Sequence, residues 1–177
     1  MDRGPGAMTL SEDDRRLVGL WAADCAERVL PLFEAKVPTD TRPRDAIEGI
    51  RVFGRGGRRT ARLRTLALAG LAAAREAGDP VAAAAARSAG VAASIAYMHA
   101  LATLDQAKHA LAPPAYGALA RELAAAGDPA AGEEEIRWAI EHASPAVRDV
   151  VGRYPPRGPA RGRLDALMYL LDAGLHG

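Results

Sequence analysis

Large side chains and cysteines are scarce in this chain of 177 residues. It contains two phenylalanines, two tryptophans and a single cysteine, Cys25. One cysteine excludes an internal disulfide, which favours a reducing, cytoplasmic compartment. Cys25 falls on the apolar face of a predicted helix, so we interpret it as a small buried hydrophobic residue rather than as a nucleophile.

Long apolar runs and an excess of charge are absent as well. No run reaches the roughly 18 to 20 residues that a membrane span needs, and no hydrophobic signal segment stands at the N-terminus. We therefore expect a protein with no membrane association. The net charge is +1, from 23 basic and 22 acidic residues, which argues against a general polyanion binder although residues 51–64 are locally basic.

Alanine, in contrast, is abundant, with 41 residues. It is the best helix former and has little bulk, so a core of Ala, Leu and Val fills space by bringing helices close together. No stretch combines β-branched residues with strict alternation of apolar and polar positions, and no strand is predicted. The composition predicts an all-α fold, a compact bundle of about seven to eight helices joined by short hairpin turns.

Capping signals divide the chain into helices. Gly-Asp-Pro occurs at residues 78–80 and 127–129, and Ser-Pro at 144–145, each placing a capping side chain before a proline in the first turn. Ser11, followed by three acidic residues, predicts the start of the first helix. These signals leave room only for short connections, which favours helical hairpins.

One domain is predicted from residues 10–177, after a flexible N-terminus at residues 1–9. Residues 154–162 contain three prolines and two glycines, which indicates a linker before the C-terminal helix.

The stretch from Asp79 to Leu111 is the longest without a strong helix breaker, and we expect it to form the central helix. Pro113-Pro114 is expected to end this element, and residues 115–126 to form the next helix with Leu123 facing inward. A ridge of small residues four apart would allow another helix to approach the central one closely: Ala86, Gly90 and Ser94.

Residues 54–59, at the end of the second predicted helix, are three glycines and three arginines. Such a loop could hold a phosphate, but it matches no phosphate-loop spacing, and a solvated connector is the favoured interpretation. A nucleic-acid partner for residues 51–64 is a weaker alternative, against which the near-neutral net charge counts.

Two histidines and one aspartate on the predicted central helix are candidate binding residues. His99 and His109 point to different sides of one helix, so we expect no metal site and no cofactor. Asp105 lies four residues before His109 and can hydrogen-bond to it in a helix. A satisfied polar pair is favoured over a catalytic dyad, because no serine or cysteine nucleophile is close in sequence.

Four charged residues near the first two helices complete the candidates. Asp24 and Arg28 lie at the margin of the first apolar stripe. Arg42 and Arg44 flank Pro43 at a helix start, where an exposed charged turn is the simpler interpretation and an anion or acidic-partner site the alternative. A pocket between the first, second and fourth predicted helices would be lined by Asp24, Arg28, Arg44, His99, Asp105 and His109.

Residues 24–34 (DCAERVLPLFE), 42–48 (RPRDAIE) and 86–90 (ARSAG) together resemble the bacterial Imm-5-like putative immunity proteins. The resemblance extends from about Leu10 to Leu171. It implies a cytoplasmic helical protein that binds a cognate toxin and blocks it.

Two functional hypotheses follow. The first is an immunity protein that neutralises a toxin without catalysis, through a charged face such as the turn at Arg42 and Arg44 or at Glu133–Glu135. The second is a small-molecule-binding protein or an enzyme with an inter-helical pocket near Asp24, Arg44 and His109. The sequence leaves open whether the protein is a monomer or a homodimer.

Overall fold

The computed structural model describes residues 9–158 and 161–177. The predicted flexible N-terminus lies outside this range except for Thr9, as do two residues of the predicted linker. The described chain is helical, which confirms the all-α prediction, and its extended pairing is limited to one bridge between Thr9 and Leu101. The helices are α1 (Glu12–Glu34), α2 (Arg42–Gly54), α3 (Ala61–Glu76), α4 (Pro80–Ser94), α5 (Leu104–Ala124), α6 (Pro129–His142), α7 (Pro145–Gly152) and α8 (Arg163–His176).

The predicted helix starts are confirmed by their hydrogen bonds. The Ser11 hydroxyl accepts from the backbone N–H of Asp14 at 3.0 Å, and the Asp14 carboxylate accepts from the Ser11 N–H at 2.8 Å, which closes a capping box. Asp79, Asp128 and Ser144 each accept a backbone N–H in the first turn of the helix that follows. Local side chains therefore set these boundaries.

Helices α1, α4 and α5 pack on one another at the centre of the fold. Helices α2 and α3 cover α1 and α4 on one side, and α6 and α8 cover α5 on the other. Cys25 is buried among these helices, as predicted, with 3% of its surface exposed. None of the described helices is both long and apolar enough to cross a bilayer.

The backbones of α3 and α4 lie in contact. A Cβ on Gly70 would lie 3.1 Å from the Cα of Gly90, and a Cβ on Gly90 would lie 2.8 Å from the backbone nitrogen of Leu71. The small-residue ridge predicted around Gly90 is therefore used for helix packing.

The predicted central helix, residues 79–111, is interrupted at residues 95–103, so it is two helices and not one. After α4 come a short 3-10 turn (Ile95–Tyr97) and a non-helical segment, residues 98–103, before α5 begins. The backbone N–H of Leu10 donates to the carbonyl of Ala100 at 2.7 Å, so pairing with the N-terminal segment replaces helical hydrogen bonds at this point.

The predicted helix end at Pro113-Pro114 is also wrong, because both prolines lie inside α5. A proline in a helix interior costs about 3 kcal/mol. Both prolines are buried, and the Ser88 hydroxyl of α4 donates to the carbonyl of Pro113 at 2.7 Å. This burial offsets the cost. Leu123, predicted to face inward, is exposed, and Glu122 is buried in its place.

Candidate functional site

Asp24 connects α1 to both α2 and α6. One carboxylate oxygen lies 3.0 Å from Nη2 of Arg51, and the other lies 3.0 Å from Nε2 of His142. Arg51 also binds Glu27 at 2.6 Å, and this hydrogen bond lowers the pKa of Glu27 below its ordinary value. The charge of Asp24 is thus matched within the chain.

Arg28 joins α1 to α6 through Glu135. Its Nε and Nη2 atoms donate to the two carboxylate oxygens at 2.6 and 3.1 Å, and Glu135 is only 7% exposed. The guanidinium also lies 4.0 Å from the ring centroid of Trp138, which stacks on His142. Of the three carboxylates in the predicted acidic turn Glu133–Glu135, that of Glu135 is therefore already bound to Arg28.

Arg42 and Arg44 are likewise paired, but at the surface. Arg42 binds Asp40 at 2.6 Å and Glu76 at 2.7 Å, and the first of these pairs lowers the pKa of Asp40. Arg44 donates to Glu34 at 2.8 and 2.9 Å. Surface pairs of this kind are weak, so both arginines remain accessible to a competing carboxylate.

His99 and His109 line one hollow of about 330 Å³ at the break between α4 and α5. Burial, with a smaller effect of Lys108, lowers the pKa of His109. Asp105 lies in the first turn of α5, and the hydrogen bonds of the described residues include none between Asp105 and His109. Within residues 9–158 and 161–177, no cluster of three or more histidine, cysteine or acidic side chains could hold a metal ion.

The predicted site residues therefore lie in separate clusters. Asp24 lies beside Arg51 and His142, whereas Arg44 pairs with Glu34, and His109 lines a hollow with His99. The hypothesis of one inter-helical pocket is not favoured by this arrangement.

A groove of about 340 Å³ runs between α2 and α3, and Glu48 on its edge pairs with Arg51 at 3.3 Å. Leu66 packs directly on Gly49 at its base, where a Cβ would lie 2.8 Å from Cδ1 of Leu66. Val52 is 61% exposed beside it. Acidic side chains of α2 form one rim and arginines form the other: Asp45, Glu48, Arg58 and Arg62.

The loop that carries the basic rim is closed by a Schellman motif. The N–H of Gly57 donates to the carbonyl of Val52 at 2.9 Å, and that of Gly56 to the carbonyl of Phe53 at 3.0 Å. Gly56 has φ +103°, and a Cβ on Gly57 would lie 2.6 Å from the Val52 carbonyl oxygen. The two glycines therefore give the loop a defined path.

Five arginines around this loop and the start of α3 have no carboxylate within ion-pair distance in residues 9–158 and 161–177. Two of them lie over the ring of Tyr97, at 5.8 and 4.6 Å from its centroid. All five are exposed, and we call them the basic cluster: Arg55, Arg58, Arg59, Arg62 and Arg64.

Sequence reasoning missed His142, Trp138 and the groove. The spacing of Trp138 and His142, four residues apart, was a local signal for their contact. No local signal in the sequence indicated that His142 pairs with Asp24 or that Gly49 meets Leu66. Both contacts depend on how separate helices pack.

The family described as "Imm-5 like putative immunity protein" matches residues 8–146. The match spans α1 to α6 and ends in the first turn of α7, so it stops short of the end at Leu171 expected from the resemblance. No curated protein matches the chain, and no solved structure does. Because the match covers well over half of the sequence, the chain belongs to the Imm-5-like family.

Proposed function

We propose that this protein is an immunity protein that binds a cognate toxin and neutralises it by covering the toxin's functional surface. The observation that carries the proposal is the family match over residues 8–146. In this proposal the protein is bacterial and cytoplasmic, works beside its toxin, and acts by stoichiometric binding rather than by catalysis.

A preorganised surface supports this mode of action. The ion pairs of Asp24, Arg28 and Arg51 tie α1 to α2 and α6, so little order has to be gained on binding at this side of the fold. A rigid surface binds more tightly because fewer side chains lose freedom in the complex. The paired but exposed arginines at the start of α2, Arg42 and Arg44, could exchange their carboxylates for those of a partner.

The proposal is tested with the toxin encoded by the neighbouring gene. We expect co-expression to restore growth, a tagged copy of this protein to retain the toxin, and toxin activity to fall linearly with added protein up to an equimolar ratio. Full toxin activity in the presence of excess protein would contradict the proposal. Inactivation by far less than one equivalent would contradict occlusion, since it would indicate turnover.

A further inference from the structure

We infer that the groove between α2 and α3 is the surface that docks the toxin, and that its occupant is an acidic amphipathic segment of that toxin. An apolar side chain of the segment fills the groove, and its carboxylates face the basic cluster. This inference rests on the proposed function and adds to it the surface and the chemistry of the partner.

The apolar surface of the groove gives a partner a favourable area to cover. Val52 is 61% exposed on α2, and Leu66 extends into the space that Gly49 leaves open. Covering such a surface removes apolar area from water, which is favourable. A volume of about 340 Å³ accommodates one or two large side chains of a partner.

The charge of the groove indicates which partner fits. Arg58 and Arg62 line it, and the rest of the basic cluster surrounds the start of α3, which has no acidic residue in its first turn. Positive charge near a helix N-terminus is unfavourable because the helix dipole is positive there. Carboxylates of a partner would relieve this repulsion, because no carboxylate of the described residues lies within ion-pair distance of these arginines.

A protein segment fits this groove better than a nucleic acid. The rim on α2 carries Asp45 and Glu48, which would repel a phosphate backbone that followed the groove. An amphipathic segment can place its carboxylates on the arginine side alone. Complementary charge of this kind accelerates association and fixes the orientation of the partner.

The groove is also held ready for a partner. The Schellman motif sets the path of the basic loop, and Arg16 of α1 donates to the carbonyls of Phe53 at 3.2 Å and Gly57 at 3.3 Å. The loop is therefore anchored to α1 before any partner binds.

Two variants, each with a matched control, test the docking surface. Val52→Asp changes an exposed groove residue, and Leu68→Asp changes a residue of α3 that is 59% exposed but does not line the groove. The double variant Arg58→Glu/Arg62→Glu reverses the basic rim. Arg75→Glu reverses an exposed arginine at the far end of α3 as its control. Circular dichroism and thermal melting establish that all four fold.

The readout is the Kd and association rate for the neighbouring toxin, measured by biolayer interferometry at two salt concentrations. We expect Val52→Asp to weaken binding by at least about tenfold. The Arg58→Glu/Arg62→Glu variant should lower the association rate by about tenfold or more and remove most of its salt dependence, with both controls within about twofold of wild type.

The outcomes separate this inference from the proposed function. If wild-type protein binds and neutralises the toxin but both groove variants bind equally well, the docking surface lies elsewhere and the function stands. If wild-type protein neither binds nor neutralises it, the function itself fails. Steeply salt-dependent binding of duplex DNA that Arg58→Glu/Arg62→Glu abolishes, with toxin binding unchanged, would overturn the inference in favour of a nucleic-acid partner.

Discussion

Gly70 of α3 and Gly90 of α4 bring two helix backbones together: a Cβ on Gly70 would lie 3.1 Å from the Cα of Gly90. A chain with 41 alanines and two phenylalanines cannot fill wide gaps between helices. It makes its core dense by reducing the distance between helix axes. Close backbone approach therefore takes over part of the role that large side chains have in other proteins.

Gly90→Ala is expected to lower the free energy of unfolding by about 1 to 2 kcal/mol, although alanine gains about 1 kcal/mol in helix propensity. The new Cβ would lie 2.8 Å from the backbone nitrogen of Leu71, and backbone cannot rotate away. Urea unfolding measures the change. Gly152→Ala is the control, since it meets open space in α7 and should leave stability unchanged or slightly higher. Equal stability of Gly90→Ala and wild type would show that α3 and α4 can separate freely.

Ala126→Gly is expected to raise the free energy of unfolding by about 0.5 to 1 kcal/mol. Ala126 follows α5 with φ +56°, a left-handed conformation that glycine adopts without strain. The neighbouring N–H of Gly127 donates to the carbonyl of Glu122 at 2.9 Å and fixes this turn. Ala124→Gly, within the last turn of α5, should instead lower stability by a similar amount. A loss of stability in Ala126→Gly would contradict the assignment of strain to this residue.

Arg28→Ala is expected to lower the free energy of unfolding by about 1 to 3 kcal/mol, because it leaves the buried Glu135 carboxylate without its bidentate partner. Arg44→Ala breaks the exposed pair with Glu34 and should cost only about 0 to 1 kcal/mol. A double-mutant cycle with Glu135→Gln isolates the coupling of Arg28 and Glu135. Equal costs for the two arginine variants would mean that burial of Glu135 does not matter.

His176 is expected to stabilise the fold most at acidic pH. Partial burial by itself lowers its pKa, but the hydrogen bonds from its ring to the carbonyls of Asp172 and Tyr154, with the charge of Asp172, outweigh this effect and raise the pKa above 6.5. A raised pKa means that the contribution is fully present below about pH 6.5 and is lost as the pH rises through the folded-state value. The stability advantage of wild type over His176→Gln should be larger at about pH 5.5 than at about pH 8.5.

His109 provides a comparison of opposite sign. Burial lowers its pKa, so the folded state disfavours the charged form and wild type loses stability as the pH falls below the ordinary value of 6.5. At acidic pH, the free energy of unfolding of His109→Gln should therefore rise relative to that of wild type, whereas that of His176→Gln should fall relative to it. Chemical denaturation at the two pH values measures both differences, and identical pH profiles for the two variants would contradict at least one of the two assignments.

Local chemistry explains which parts of the fold could be predicted. Ser11, Asp79, Asp128 and Ser144 cap helices through hydrogen bonds to residues at most three positions away, and all four starts are confirmed. The break after α4 could not be predicted in this way. It depends on Leu10, which is far from Ala100 in sequence and adjacent to it in space.

The path of α5 through Pro113-Pro114 is a second example. Intrinsic propensity argues for a helix end at this point, and burial against α4, with the hydrogen bond from Ser88, prevails. The candidate site likewise depends on tertiary packing that local sequence does not reveal. The arginines of residues 51–64 are plain in the sequence, but the groove beside them exists only once α2 and α3 pack. The partners of Asp24 and Arg28 on α6 are more than a hundred residues away.

Burial of Cys25 has a practical consequence. Its thiol is 3% exposed, and burial raises its pKa well above 9.0, so very little of the reactive thiolate forms in the native protein. Alkylating reagents would reach it only when α1 detaches. The rate of its modification would therefore report how often the core opens. A second cysteine introduced at the surface, for instance in place of Val52, could be labelled alone with a fluorophore while the native thiol stays hidden.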